Sequence, residues 1–247
     1  MIVATWSGPR NLSTALMYAF AQRADFEVRD EPFYAAFLAA TGLDHPMRAA
    51  VLASQPTDPA RVAADCIAPP ARGHRYLKLM AHHMVAGIDA GFMAECRNVF
   101  LIRHPARVLA SYAAKRENPT LDDIGAHRML ELFEQAHALG PSPIVIDSDD
   151  IRADPDGMLR ALCAALGLAF DRAMLSWPAG GNPADGAWAP HWYGAIHRST
   201  GFAGPEGPLP ELPTELARLA EAARAPYEVL ARHRLLSAQN TPSRRLQ

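Results

Sequence analysis

Short apolar runs alternate with longer amphipathic stretches along most of the chain. The runs are rich in β-branched and aromatic residues and too short for helices, so they predict strands. The five predicted strands cover residues 2–6, 26–29, 76–80, 99–102 and 144–146. Because helical patterns separate them, the strands are expected to lie parallel with helices on both faces. This pattern predicts a three-layer α/β/α fold with a central parallel sheet.

Three later segments predict helices with recognisable ends. Over residues 155–167, Asp154 can cap the first turn, Pro155 fits its start, and Gly167 marks its end. A second helix is predicted over 121–139, where a Gly-Pro pair follows. A third is predicted over 211–234, with a kink at Pro226 because proline disrupts a helix interior.

Residues 178–213 lack periodicity and are rich in Pro, Gly and Trp. A long irregular segment within a compact domain is usually functional, and its aromatic residues predict an ordered, packed segment. Packing in the core or in a lid is the commoner role of Trp188, Trp192 and Tyr193, with a substrate platform as the alternative. We expect a single domain over residues 1–236 and a flexible tail over 237–247.

Composition narrows the range of functions. The chain has 247 residues, 49% of them apolar, and a net charge of −2, which gives no footprint for nucleic acid. Three cysteines at unrelated spacings fit neither a zinc site nor a disulfide framework. No apolar stretch is long enough for a membrane span, and the first strand leaves no room for a signal peptide. The expectation is a cytoplasmic protein that contacts no membrane.

The turn after the first strand carries the first candidate chemistry. It reads Ser-Gly-Pro-Arg-Asn-Leu-Ser-Thr over residues 7–14 and leads into an apolar helical pattern. Strand, small polar turn and helix together are typical of a loop that cradles a phosphate group. Counted from Gly8, Ser13 and Thr14 stand where a Walker A loop requires Gly and Lys, and the cation Arg10 comes early. The loop therefore points away from ATP hydrolysis.

A second candidate segment follows the fourth predicted strand. It begins with Arg103, His104 and Pro105 and reaches Ser111 about two helical turns later. Arg103 would emerge at the carboxyl end of a strand, where open α/β sheets bind ligands. Taken alone, it also fits a surface arginine at the edge of a sheet.

Together the two segments resemble the cofactor-binding elements of the sulfotransferases. In that family a P-[RK]-S-G-[ST]-T loop holds the 5′-phosphosulfate of 3′-phosphoadenosine-5′-phosphosulfate (PAPS). An R-[NHD]-P-x-x-[RDV]-x-x-S-x-[YF] segment holds its 3′-phosphate. Residues 9–14 are similar to the first motif and residues 103–112 to the second. The resemblance implies the P-loop NTPase-like sulfotransferase fold, and it implies that PAPS is bound by Gly8, Pro9, Arg10, Asn11, Ser13, Thr14, Arg103 and Ser111.

The resemblance extends along nearly the whole chain. Residues 145–151, followed by Asp154, Pro155 and the Leu-Gly-Leu of 166–168, resemble a scaffold signature of the family. Residues 7–23, 30–32, 41–46 and 185–202 look like a sulfotransferase-like subgroup. That subgroup occurs in bacteria, and in plants as a segment of branched-chain-aminotransferase-like proteins.

Asn11 and Leu12 depart from the Ser-Gly of the family loop. Glycine there allows a positive φ or a close approach of the backbone to phosphate, whereas leucine adopts a positive φ only at a cost. The departure predicts a loop of different shape with fewer amides facing the ligand.

Transfer to an alcohol needs a base at the acceptor hydroxyl and a cation at the leaving phosphate. Arg10 suits the second role. For the base we favour Glu31, because several sulfotransferase groups use a Glu-Pro at this point, and a carboxylate with a reference pKa of about 4.3 is ionised at neutral pH. A carboxylate that only caps a helix before Pro32 is the competing interpretation. His82 or His83 is the rival base, since cytosolic sulfotransferases place a catalytic histidine near there.

The hypothesis that follows is a sulfotransferase that moves a sulfuryl group from PAPS to a hydroxyl of an unidentified small molecule or carbohydrate. Arg198 is a further candidate for the 3′-phosphate, from its position in the chain alone. The acidic residues at 147, 149 and 150 lack the spacing of metal ligands, so no metal is expected. The alternatives are a nucleotide-binding module without transfer activity and, less favoured, a P-loop small-molecule kinase.

Overall fold

A computed structural model describes residues 1–114 and 118–237 of the chain. Its centre is a sheet of five strands in which all neighbouring pairs are parallel, in the order β2-β3-β1-β4-β5. The strands are β1 Ile2–Ser7, β2 Phe26–Asp30, β3 His74–Met80, β4 Arg97–Ile102 and β5 Ile144–Asp147. All five predicted strands are present, with ends that differ by two residues or fewer.

Helices connect the strands and cover the sheet. They are α1 Ser13–Ala21, α2 Tyr34–Thr41, α3 Arg48–Ser54, α4 Pro59–Ile67, α5 Pro105–Ala113, α6 Leu121–Ile124, α7 Ala126–Leu139, α8 Ser148–Ala153, α9 Pro155–Leu166, α10 Ala189–Trp192, α11 Thr214–Ala222 and α12 Arg224–Ala231. Single 3₁₀ turns lie at Ala81–His83, Gly91–Glu95, Arg172–Leu175 and Ile196–Arg198.

The sheet is buried on both faces, which explains why its strands are continuously apolar. Along β4, Phe100 and Ile102 join the core on one face, where α2, α7 and α12 pack. Val99 and Leu101 point the opposite way and join α1 and α9 on the other face. This alternation produces the predicted three layers, with the carboxyl ends of all strands at one edge.

The helix prediction is confirmed for α9, whereas each of the other two predicted helices is interrupted and forms two helices. Asp154 caps α9 by accepting a hydrogen bond from the Gly157 amide at 2.9 Å, and Gly167 ends it with φ +75°. The helix predicted over 121–139 is split into α6 and α7, because Gly125 between them adopts φ +64°.

The kinked helix predicted over 211–234 is two helices, α11 and α12, which meet at Ala223. Pro226 offers no N–H for the bond to the carbonyl four residues earlier, and in a continuous helix its ring would collide with that carbonyl. The helix therefore ends at Ala222 and a new one starts. Of the predicted tail over 237–247, Ser237 is buried, and the remainder lies outside the described residues.

Asp147 gives the fold a pH-dependent component of stability. Its carboxylate accepts hydrogen bonds from the Asp149 amide at 3.0 Å and from the Tyr227 hydroxyl at 2.9 Å, and it caps α8. Burial raises the pKa of Asp147 to about 6. Because the folded pKa lies above the unfolded value, folding favours the protonated form, so this contribution to stability falls as pH rises through that range.

Asp147→Asn is expected to remove this pH dependence while it keeps an oxygen for the cap. The free energy of unfolding of the variant should match that of the wild type near pH 4 and exceed it by about 2–3 kcal/mol at pH 8. Urea unfolding at both pH values measures the difference. Asp44→Asn, at an exposed position before α3, is the control. An Asp147→Asn difference that stays constant with pH would rule out this titration.

Candidate active site

The carboxyl ends of the strands open onto a cleft of about 440 Å³. The chain passes from β1 outward to β2 and β3, then crosses to β4 on the other side of β1. Such a reversal of strand order leaves a crevice beside the central strand, where open α/β sheets bind ligands. The turns after β1, β2, β3 and β4 all contribute to its lining.

Most of the predicted site residues line this one cleft, although they come from distant parts of the chain. The predicted residues in the lining are Pro9, Arg10, Asn11, Ser13, Thr14, Glu31, His82, Arg103 and Ser111, together with the alternative base His83. Gly8 and Arg198 are not among the lining residues.

Gly8 allows the loop to pack closely against the backbone of Ile124. A Cβ atom at this position would lie 2.6 Å from the carbonyl oxygen of Ile124, so the loop can approach that backbone only with glycine. Arg198 is exposed and ends the 3₁₀ turn Ile196–Arg198.

Left-handed and right-handed backbone conformations alternate along the loop between β1 and α1. Arg10 has φ +62° and Leu12 has φ +69°, whereas Asn11 between them does not have a positive φ. Alternation of this kind turns successive N–H groups toward one concavity that suits an anion. Leu12 thus adopts the left-handed conformation that glycine favours, at a cost of about 1–2 kcal/mol.

One side-chain hydrogen bond holds this loop in position, and the first amides of α1 have no side-chain cap beside it. The Asn11 side chain donates a hydrogen bond to the Leu101 carbonyl of β4 at 3.1 Å. Leu12 is the N-cap of α1 and makes no side-chain cap hydrogen bond, so the first amides of the helix lack that protein partner. Ser13 and Thr14 carry hydroxyls into the same turn. The helix dipole adds a partial positive charge there.

Arg10 is the cation nearest to this turn. Its Nε donates to Ser111 Oγ at 2.9 Å, and its carbonyl accepts a hydrogen bond from Arg103 Nη1. Burial and the neighbouring charge of Arg103 lower the pKa of Arg10. Among the described residues, no carboxylate lies within ion-pair distance of the Arg10 guanidinium. A half-buried cation without a counter-ion favours the binding of an anion.

Three further charged residues surround Arg103, and sequence reasoning missed them. The Glu206 carboxylate accepts a forked pair of hydrogen bonds from Arg103, with 3.2 Å between Nε and Oε2. Arg107 Nε and Arg152 Nη1 lie 3.5 and 3.6 Å from the same carboxylate. Arg107 lies within residues 103–112, the segment that resembles the family motif, so the sequence offered a reason to assign it to the site. Glu206 lies in a Gly-Pro stretch with no motif that would predict a site residue.

At the opposite end of the cleft, two carboxylates share one ammonium group. Lys78 Nζ donates to Asp30 Oδ1 at 2.9 Å and to Glu31 Oε1 at 2.7 Å, and all three residues are buried. The Tyr193 hydroxyl donates to Asp30 at 2.7 Å. Trp188 Nε1 in turn donates to that hydroxyl at 3.0 Å. The irregular segment is thereby fastened to the end of β2.

Burial raises the pKa of Glu31, although the charge of Lys78 opposes that rise. The backbone of Glu31 has φ +40°, an unusual conformation for a residue with a side chain. Its Oε1 is held by Lys78, whereas Oε2 lies 4.0 Å from His83 Nε2, beyond hydrogen-bond range. A carboxylate that lines the cleft, with one oxygen anchored and a raised pKa, is suited to accept a proton.

The two histidines occupy different environments. His83 is stacked between the rings of Tyr34 and Phe37, with centroids 4.7 and 4.8 Å away. Burial, with the nearby imidazoles and Lys78, lowers the pKa of His83 well below its ordinary value, so its ring is neutral at pH 7. His82 is partly exposed and contacts the ring of His83 edge-on.

At this end of the cleft, the sequence analysis gave Lys78 no role, and it treated Tyr193 as a core or lid residue with a substrate platform as the alternative. A lysine within the otherwise apolar run 76–80 was a usable signal, because a buried ammonium requires carboxylate partners. Tyr193 comes from the irregular segment, and only the tertiary fold brings it to Lys78. In residues 1–114 and 118–237 no cluster of three or more His, Cys, Asp or Glu side chains could hold a metal ion. No helix in those ranges is long and apolar enough to cross a bilayer.

The curated relatives include two proteins of Arabidopsis thaliana, branched-chain-amino-acid aminotransferase-like proteins 2 and 1. They are 37% and 38% identical to the chain over 233 residues, which is 94% of its length. The same alignments cover 42% of each relative, so the chain spans less than half the length of these proteins.

Two solved structures that resemble the chain are both sulfotransferase domains. The domain from the Synechococcus PCC 7002 olefin synthase has a TM-score of 0.48 and 18% identity, over 90% of this chain and 93% of that one. The domain from the curacin biosynthetic pathway has a TM-score of 0.49 and 16% identity, over 90% and 96%.

The family model for the sulfotransferase domain matches residues 1–233, from β1 through α12, and includes every strand of the sheet and the whole lining of the cleft. The resemblance predicted from the loop after β1 and the segment after β4 is therefore confirmed. The chain belongs to the sulfotransferase domain family.

Proposed function

We propose that this protein transfers a sulfuryl group from PAPS to a hydroxyl group of a small molecule or carbohydrate. The observation that carries the proposal is the half-buried Arg10 guanidinium, which has no carboxylate partner in the described residues and lies beside the amides that start α1. Cation, amides and hydroxyls converge there, as binding of a phosphosulfate requires. Membership of the family supports the same donor.

Each end of the nucleotide has its own group of residues in this proposal. Ser13, Thr14 and the loop amides bind the 5′-phosphosulfate, while Arg103 and Ser111 bind the 3′-phosphate. Arg10 lies between the two, since its guanidinium contacts Ser111 and its backbone belongs to the loop. The transferring sulfur would then face the part of the cleft lined by Glu31, Lys78 and the histidines.

The reaction is a displacement at sulfur. The acceptor oxygen forms a bond to sulfur as the bond from sulfur to the 5′-phosphate oxygen breaks, and the electron pair stays on that phosphate. Arg10 and the loop amides stabilise the charge that gathers on the leaving phosphate. Glu31 takes the acceptor proton through Oε2, while Lys78 holds Oε1. The products are a sulfate ester and 3′-phosphoadenosine-5′-phosphate (PAP).

Binding of PAP to the native protein tests the nucleotide site. At 100 times its dissociation constant, PAP should stabilise the wild type by about 2.7 kcal/mol, which is a rise in Tm of roughly 5–10 °C. Arg103→Ala is expected to lose most of this rise, because removal of one partner of a hydrogen-bonded charge pair weakens binding strongly. Differential scanning fluorimetry with and without PAP measures both.

Arg218→Ala is the matched control, because Arg218 lies on α11 and its side chain is largely exposed. It should keep the full rise in Tm. If Arg103→Ala responded to PAP like the wild type, the assignment of the 3′-phosphate site would be wrong. A rise in Tm with ATP and Mg²⁺ but none with PAP would favour the kinase alternative.

A further inference from the structure

Glu206 is the one inward-facing residue of a short exposed stretch. Residues 203–205 and 207–209 on either side of it are exposed, whereas the Glu206 side chain is only 17% exposed. The stretch reads Ala-Gly-Pro-Glu-Gly-Pro-Leu and has no helix or strand. A carboxylate in an exposed surface loop ordinarily faces water, so the position of Glu206 in the cleft requires an explanation.

The cause is the group of three arginines around it. Arg103 engages both carboxylate oxygens through its forked guanidinium, and Arg107 and Arg152 lie within 3.6 Å. The same arginines also hold the backbone on each side: Arg152 Nε donates to Gly204 O at 2.9 Å, and Arg107 Nη2 donates to Gly207 O at 2.6 Å. Burial disfavours the charged carboxylate, but the hydrogen bond and charge of Arg103 outweigh burial and lower the pKa of Glu206.

The Nε and Nη2 groups of Arg103 hold one anion at a time in a forked pair of hydrogen bonds, and carboxylates and phosphates compete for them, while Nη1 donates to the Arg10 carbonyl. Arg103 is the residue that the family motif assigns to the 3′-phosphate. Its fork cannot be given to a nucleotide while Glu206 keeps it. A Cβ atom at Gly204 or Gly207 would meet no other atom within 4 Å, so both glycines beside Glu206 border open space.

We propose that Glu206 is an internal anion that occupies the 3′-phosphate subsite, and that Arg103, Arg107 and Arg152 exchange its carboxylate for the 3′-phosphate of the nucleotide. This inference rests on the proposed function, and it adds two arginines and a competing carboxylate to the site. A ligand can bind the three arginines only if it places an anionic group where the Glu206 carboxylate lies. Glu206 therefore lowers the affinity of the site for a nucleotide with a 3′-phosphate, because that phosphate must displace the carboxylate from the arginines.

Glu206→Gln tests the exchange, because it keeps the size of the side chain and removes the charge that competes. By isothermal titration calorimetry on the full chain, the Kd for PAP should fall by about tenfold or more, as loss of one charge-assisted competitor implies. The Kd for AMP, which differs from PAP only by lacking the 3′-phosphate, should change by less than about threefold, since AMP does not compete with Glu206.

Glu211→Gln is the control, since it makes the same change of charge at an exposed position of the same segment. It should bind PAP as the wild type does. Glu206→Asp, with a shorter carboxylate, should fall between wild type and Glu206→Gln. If the wild type binds PAP and Glu206→Gln binds it equally or more weakly, the exchange is refuted while the proposed function stands. If none of these proteins binds PAP, the proposed function itself fails, and the exchange with it.

Discussion

Glu31→Gln is expected to lower the rate of sulfuryl transfer by about two to four orders of magnitude, which is the usual contribution of a general base. Glutamine keeps the shape of the side chain and an acceptor oxygen for Lys78, but it cannot take the proton of the acceptor. The rate is measured as release of PAP from PAPS with a hydroxyl compound found by an unbiased acceptor screen.

The same change should leave the fold intact. In the wild type, Asp30 and Glu31 share the single ammonium of Lys78. In the variant one carboxylate faces one ammonium, so the buried charges are better balanced and Tm should not fall. A loss of rate without a loss of stability separates a chemical role from a structural one.

The pH dependence of the wild-type rate gives a second test of this base. Because burial raises the pKa of Glu31 above its ordinary value near 4.5, the rate should begin to fall at a higher pH than for an exposed glutamate. The fall occurs toward acid, since a protonated carboxyl cannot accept the proton. His82→Ala and His83→Ala test the rival base. If either abolishes transfer while Glu31→Gln does not, the base is the histidine.

Lys78→Met is expected to destabilise the fold by about 3–5 kcal/mol, the usual cost of removing one partner from a buried charge cluster. Asp30 and Glu31 are 5% and 8% exposed and would lose the ammonium that both of them contact. The Tyr193 hydroxyl would keep its bonds to Asp30 but lose its own contact with Lys78. Equilibrium urea unfolding at pH 7.5 measures the loss.

Two further measurements identify charge as the cause. Adding Glu31→Gln to Lys78→Met removes one stranded carboxylate and should recover part of the lost stability, as coupled neighbours do. Lowering the pH should also shrink the deficit, because protonation removes the uncompensated charges. Equal deficits at pH 5 and pH 7.5, with no recovery in the double variant, would mean that lost packing of the lysine stem is responsible.

The sheet could be predicted from the sequence because each strand is a short apolar run buried on both faces. The order of the strands could not, since it depends on which crossovers the helices make. Helix ends with several local signals, such as Asp154 and Gly167, were predictable. Two helix interiors were predicted wrongly because of single residues. Gly125 ends a helix by its positive φ, and Pro226 ends one in the turn before it, although the periodicity continues past both.

The cationic end of the cleft could be predicted from the sequence because its residues stand at fixed spacings within short motifs. Arg10, Arg103 and Ser111 stand within two short segments, and parallel strands bring their carboxyl ends together. The residues that complete the site come from the irregular segment. Tyr193 and Glu206 reach the cleft through tertiary contacts that no periodic pattern encodes. Arg198, predicted from chain position alone, is exposed and outside the lining.

Leu12 departs from the family loop, yet it adopts the backbone conformation that a glycine at this position would favour. The sequence predicted a different loop shape because leucine resists a positive φ. In the structure Leu12 nevertheless adopts φ +69°, and the Asn11 side chain bonds the loop to β4. The local cost is carried by surrounding contacts, which is common at functional sites.

The central claim is that this cleft recognises a nucleotide by its 3′-phosphate. The most direct measurement compares PAP and AMP on the wild-type protein by isothermal titration calorimetry. The account predicts that PAP binds about 100-fold more tightly or better, from the charge-assisted hydrogen bonds of the arginines to one additional phosphate. Equal affinities for PAP and AMP, or no binding of PAP at all, would contradict it.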